Sequence, residues 1–291
     1  MHDAGTLTVG LARENRIGGV MRRGHVDLPL IGPASGRQLH LMTFNLLFDH
    51  EPPPRTWQER LPRVLRILEA EQPTVLGTQE LLFPQVKDLK RSLPGYDYIY
   101  LSCKGGARGL STAVFFDTSR LEPLSFRHLW LSRTPHLLAS RSWGNEQPRM
   151  MTWVRFADAR SGREFVYVNT HFDHLSENSR LRSAELVKKV VAYFDVPVMV
   201  GGDFNTPHHA ETHARLIDSG LVDSWDAAAH RVTDSFQTFN DWRPKPRNGG
   251  RIDWILTTPE VTTHRVGINA WTDNGAFPSD HWPVQALVSL E

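Results

Sequence analysis

The chain contains a single cysteine, Cys103, among 291 residues. One thiol excludes an internal disulfide and any cysteine-rich zinc site, and it fits a reducing compartment. Neither sign of charge is in excess: 33 Lys and Arg stand against 32 Asp and Glu, for a net charge of +1. Holding nucleic acid by bulk electrostatics requires clustered Lys and Arg, so that class loses support, although a local basic groove remains compatible. No apolar run approaches the roughly 20 residues of a membrane span. The opening MHDAGTLTVGLAREN lacks the basic start and continuous apolar run of a signal peptide. A cytoplasmic protein without an integral membrane segment is expected. Both GxxxxGK and GxGxxG are missing, which leaves nucleotide-cofactor readings without support.

What is present reads as a globular enzyme. Hydrophobic residues make up 40% and charged residues 22%, enough for a substantial core. A large α/β or sandwich fold holds such a length as one unit. Residues 1–38 differ from the rest: they are rich in Gly and Arg, and Leu7, Val9 and Leu11 alternate as in a short strand. They are expected to form an N-terminal arm of unassigned role ahead of a catalytic domain at 39–291.

From residue 39 short apolar runs recur. Strands are expected at 39–44, 74–78, 96–101, 111–116, 151–156, 164–169, 196–201, 252–257 and 283–290. Helices are expected at 59–70, where Leu61, Val64, Leu65 and Leu68 share a face, and at 177–194, capped by Ser176. A shorter one is expected at 208–219, ending at Gly220. Pro62 is compatible with the first helix if it lies in the opening turn. The segment 240–250, with two prolines and two glycines, reads as a loop. Many strands with few helices predict two packed sheets flanked by helices.

The polar residues sit where the apolar runs stop. LMTF runs into Asn45, VLGT into Glu80, FVYVNT into His171, and VPVMVGG into Asp203 and Asn205; Asp253 lies in RIDWI, and Asp280-His281 precedes PVQALVSL. Strand ends are rigid and aim several side chains at one point. The set suits phosphate-ester hydrolysis. Glu80 and Asp280 suit a hard divalent cation. Asn45 and Asn205 orient ligands without adding charge. His171 and His281 donate to phosphate oxygens. Asp253 fixes the orientation of His281, and Asp203 handles a proton. Each alone has an ordinary reading: Gly-Asp-x-Asn is commonly a turn, and Asp253 has Arg251 as a possible ion-pair partner. The ordered set outweighs those readings.

That set, TFNL (43–46), GTQE (77–80), NTHFDH (169–174), GDFN (202–205), RIDWI (251–255) and PSDHWPV (278–284), resembles the endonuclease/exonuclease/phosphatase superfamily, in a bacterial branch. The resemblance implies an α/β fold, a four-layer α/β/β/α sandwich of two packed mixed β-sheets with outer helices. It implies Mg²⁺ or Mn²⁺ as cofactor, with Asn45, Glu80 and Asp280 on the metal. His171 and Asn205 then orient the phosphate, Asp203 is the general acid or base, and Asp253 and His281 form a coupled pair. It also places Arg149 near the phosphate and Trp143 near the mouth, with Arg180 as a further substrate contact.

The expected function is divalent-metal-dependent hydrolysis of phosphate esters by direct attack of water, on a small phosphorylated metabolite or lipid headgroup. A DNA or RNA nuclease is the alternative, and a non-catalytic binding protein on the same fold is the third reading. His209 and His213, spaced i, i+4, are expected on a solvated helix face and not at a zinc site, because HAETH is not HExxH. Trp57, Trp143, Trp242 and Trp271 are candidates for a substrate rim, while Trp153, Trp254 and Trp282 are expected in the core.

Overall fold

Thr56 and Glu59 set where the first helix begins. The Thr56 hydroxyl accepts from the Glu59 N–H at 3.4 Å, and the Glu59 carboxylate accepts from the Thr56 N–H at 3.2 Å. This reciprocal cap satisfies two donors that the helix itself leaves free. The computed structural model describes residues 27–243 and 249–290. Five helices lie among them: α1 (Trp57–Glu71), α2 (Phe83–Ser92), α3 (Glu177–Tyr193), α4 (Glu211–Ile217) and α5 (Ser224–Ala227). The strands are β1 (Leu39–Asn45), β2 (Val75–Gln79), β3 (Tyr96–Ile99), β4 (Val114–Asp117), β5 (Leu121–Trp130), β6 (Met150–Asp158), β7 (Arg163–His171), β8 (Val198–Asp203), β9 (Val222–Asp223), β10 (His230–Arg231), β11 (Asp253–Thr257), β12 (Val261–Ile268) and β13 (Val284–Leu290).

The strands make a seven-stranded sheet, in the order β10-β12-β13-β1-β2-β4-β3, and a six-stranded sheet, β5-β6-β7-β8-β11-β9. Both mix parallel and antiparallel pairs. Leu41, Val75, Val154, Phe156, Tyr167, Met199 and Ile255 fill the space between the sheets. The outer face of the first sheet packs on α1 and α2 through Met42, Phe44, Val64, Leu68 and Leu89. That of the second packs on α3 and α4 through Val168, Val200, Ala184, Val187 and Leu216. The expected four layers are therefore the observed ones. Central strands are buried on both faces, which is why β1 and β8 read as continuous apolar runs.

Register then gathers the strand ends. Asn45 lies opposite Gln79 on parallel β1 and β2, His171 opposite Asp203 on parallel β7 and β8, and Asp203 opposite Asp253 on antiparallel β11. Close approach between β7 and β8 requires glycine, since a Cβ on Gly202 would sit 2.2 Å from the Thr170 carbonyl oxygen.

Several expectations are corrected. Pro62 lies inside α1 and not in its opening turn, because the Thr56 cap starts the helix at Trp57. The HAETH segment is not one helix face: α4 starts at Glu211, after His209, and His213 is buried with its Nε2 3.0 Å from Asp223. Trp57 is buried and donates to Asp88 at 2.9 Å, so it cannot line a rim. Trp254 and Trp282 are buried as expected. Helices α2 and α5 and strands β5, β9, β10 and β12 are not among the expected elements. Most of β5 is an exposed sheet edge, and its Pro123 and charged residues hide the pattern. The alternation at Leu7, Val9 and Leu11 and part of the 240–250 loop lie outside the described residues. Residues 30–32 lie against the domain, each donating a backbone N–H to the buried Glu71 carboxylate.

Candidate active site

Asn45, the last residue of β1, is buried between the two sheets. Its amide nitrogen donates to Glu80 Oε1 and to Asp203 Oδ2, both at 3.0 Å. Glu80 follows β2 and adopts a left-handed backbone (φ 70°), strained for a residue with a side chain. Its N–H is held by the Ser111 carbonyl at 3.1 Å. Asn205 is also left-handed (φ 49°), its N–H on Asp203 Oδ1 at 2.9 Å and its side-chain amide on the Phe172 carbonyl at 3.0 Å. A hairpin of bonds sets the last pair: Ser279 Oγ donates to the Asn45 carbonyl at 2.7 Å, and Asn240 N–H donates to the Asp280 carbonyl at 2.7 Å.

Asp203 occupies the centre. Its Oδ2 lies 3.5 Å from His171 Nε2 and 3.9 Å from His281 Nε2. His281 Nδ1 is 2.9 Å from Asp253 Oδ2. Asp253 does not pair with Arg251, whose guanidinium instead reaches Asp223 at 2.9 Å.

The charge states follow from burial and neighbours. Burial, reinforced by Asp253, pushes the Asp203 carboxyl up to about 7. Burial, with the adjacent Arg149, holds His171 well below the usual imidazole range. Burial also disfavours charge on His281, but the carboxylates of Asp253 and Asp203 outweigh it and hold that imidazole well above its ordinary value. Asp280 is raised by burial, and Glu80 adds to the rise.

These residues border a cleft of about 750 Å³. Glu80, Asn205, Asp280, His171, His281, Asp203 and Arg149 line it, with Leu47, Phe48, Leu82, Leu110 and Met150 on its walls. Asn45 and Asp253 stand behind the lining, bonded to it. Trp143, Trp242 and Trp271 are not among the lining residues. Trp143 lines a separate depression with Arg133 and Arg182, and Arg180 bonds the Asp173 carbonyl and the Glu177 carboxylate. His174, Lys104 and His50 line the cleft without having been foreseen. His174 lies within the NTHFDH stretch; Lys104 and His50 belong to loops that carry no comparable signal.

The donor set fits a hard cation. Oxygen donors predominate, and one ligand atom each from Glu80, His171 and Asp203 lie within 4.8 Å of one another. Burial raises Asp280 most, and Glu80 beside it adds a repulsion that a divalent ion would relieve.

Residues 42–281 match the sequence model of the Endonuclease/Exonuclease/phosphatase family. The chain belongs to that family. Proteins of that family are hydrolases of phosphate esters. The chain is similar to an endonuclease/exonuclease/phosphatase family protein from Bacteroides thetaiotaomicron at 30% identity and a TM-score of 0.82, covering 88% of this chain and 99% of the other. Its similarity to a mannosyl-6-phosphatase of Bacteroides thetaiotaomicron is 29% identity and a TM-score of 0.81, covering 87% and 100%. An uncharacterized protein of Acanthamoeba polyphaga mimivirus is 29% identical over 161 residues, 52% of this chain and 59% of that one. Two further relatives are matched over 49% and 62% of their lengths. Among the described residues no helix is long and apolar enough to cross a membrane.

Proposed function

We propose that this cleft hydrolyses phosphate monoesters of small metabolites, phosphorylated sugars foremost, by single-step attack of water. The observation that carries the reading is the convergence of Glu80, Asp280, His171, Asp203 and the Asp253–His281 pair on one cleft of about 750 Å³ with apolar walls. Arg149 and Lys104 are its only Lys or Arg among the described lining residues. A nucleic-acid groove would need a longer cationic track. The likeness to a mannosyl-6-phosphatase over the whole of its solved chain supports the same substrate class.

Glu80, Asp280 and Asn45 would hold the divalent ion, Mg²⁺ or Mn²⁺. When bound, it neutralises charge on the phosphoryl oxygens and acidifies the attacking water. His171 and Asn205 orient the phosphate. Positively charged His281 donates to the oxygen on which charge develops, and Asp253 keeps its ring aligned. Asp203, raised to about 7, is matched to accept the water's proton near neutral pH. The cleft's one thiol, Cys103, is raised by burial and stays protonated, which favours water over a covalent nucleophile. Residues 39–291 form the catalytic domain in this reading.

A substrate panel tests it. Sugar monophosphates, an aryl phosphodiester, lipid headgroup phosphates, DNA and RNA are each incubated with Mg²⁺, Mn²⁺ or chelator. The expected result is metal-dependent release of phosphate, fastest from sugar monophosphates. Faster cleavage of DNA or RNA would replace this reading with the nuclease.

A further inference from the structure

Arg149 reaches the cleft through a setting that the site's other residues do not explain. The residue is buried, its relative exposure 9%, and it lines the cleft beside His171. One terminal nitrogen lies 2.9 Å from His171 Nε2, and the other donates to His174 Nδ1 at 2.7 Å. Both neighbours are imidazoles. A neutral ring nitrogen accepts a hydrogen bond but offers no countercharge, and a buried cation without one is costly.

The countercharge comes from Asp173. Its Oδ2 lies 3.6 Å from Arg149 Nε, and that nitrogen has no hydrogen-bond partner. The carboxylate is itself 1% exposed and cannot swing. Its Oδ1 accepts from the N–H groups of Leu175 and Ser176 at 3.0 and 2.7 Å. Arg180 donates to the Asp173 carbonyl at 2.9 Å and holds the same turn. The turn that leads from His171 into α3 thus presents one fixed carboxylate oxygen behind the guanidinium.

We propose that Asp173 is a positioning residue for substrate binding: it holds the Arg149 guanidinium with its terminal nitrogens toward the cleft, where they grip the phosphate oxygens of the substrate. This rests on the phosphate-hydrolysis reading above. A guanidinium matches two phosphate oxygens at once only when its plane is fixed. Asp173 supplies that fixing from behind, without touching substrate.

Asp173→Asn isolates the charge. The side-chain oxygen still accepts from Leu175 and Ser176, so the turn is retained, and only the negative oxygen facing Arg149 is lost. With Mg²⁺ supplied, KM for the best monoester and Kd for inorganic phosphate, measured by calorimetry, are expected to rise about tenfold, with kcat changed less than threefold. Arg149→Met is expected to weaken both at least as much. In the Arg149→Met background, Asp173→Asn should add nothing, because contacting residues acting through one group are not additive. An unchanged KM and phosphate Kd in Asp173→Asn overturns the proposal. The same penalty with and without Arg149 also overturns it. If no ester is turned over, the hydrolase reading fails by itself, and the phosphate Kd values still decide the role of Asp173. A wild type that does not bind phosphate overturns the inference too.

Discussion

His281 Nδ1 lies 2.9 Å from Asp253 Oδ2, a contact that joins the two sheets. Asp253 opens β11 of the six-stranded sheet, and His281 stands just before β13 of the seven-stranded one. Both are buried, and the carboxylate keeps the ring charged against the pull of burial. Asp253→Asn should therefore leave a folded protein in which His281 titrates lower. Turnover of the best monoester at pH 7 should fall about a hundredfold or more. An NMR titration of the His281 ring checks the cause: an unchanged midpoint would separate the loss of rate from the pair.

Asp203→Asn removes the proposed proton acceptor while preserving volume and the bond to the Asn205 N–H. Turnover should drop at least a hundredfold, with the circular dichroism spectrum unchanged. Turnover within a few-fold of wild type would assign the proton to another group.

The same substitution should alter stability with pH in chelator-treated protein. The Asp203 carboxyl is raised from 3.8 to about 7, so the fold favours its protonated form. That contribution is complete below pH 4 and is lost as pH rises through 7. Asparagine never ionises beside Asp253 and escapes the loss. Asp203→Asn should match wild type near pH 4 and exceed it by about 1 to 2 kcal/mol above pH 8, as relief of active-site strain commonly does. A melting-temperature difference constant from pH 4 to 9 would contradict this.

Glu80 tests the metal. Mg²⁺ should raise the melting temperature of wild type, because a ligand that binds only the folded state stabilises it. Glu80→Gln should lose that rise and the activity together. A Mg²⁺ shift of equal size in Glu80→Gln would move the ion away from Glu80.

Asp223 offers a contrast outside the cleft. It receives Arg251 at 2.9 Å, His213 at 3.0 Å and the Trp225 N–H at 2.8 Å, with Arg251 1% exposed. Asp223→Ala strands a buried cation and should cost about 3 to 5 kcal/mol. Denaturant unfolding measures it, while metal affinity of the folded protein should be unaffected.

The sequence by itself determined the layers and most of the cleft floor. Apolar runs that stop at Asn45, Glu80, His171 and Asp203 mark strands buried on both faces, and a polar residue at such an end has one edge of the sheet to occupy. The helix faces at Leu61–Leu68 and Ser176–Phe194 were legible for the same reason, a period of 3.6 with a cap. What only the tertiary structure decided were partners far apart in the chain. Arg251 stands two residues from Asp253 yet pairs with Asp223, because it precedes β11, which opens at Asp253, and is not held to that strand's alternation. His213 looked solvated from its neighbours in sequence, and the carboxylate that buries it comes from β9. Trp143 was placed near the mouth by resemblance, and the fold sets it in a separate depression with Arg182. Asp173 behind Arg149 was likewise invisible, since a 3.6 Å contact between residues on separate segments depends on how β6 and the turn after β7 are packed together.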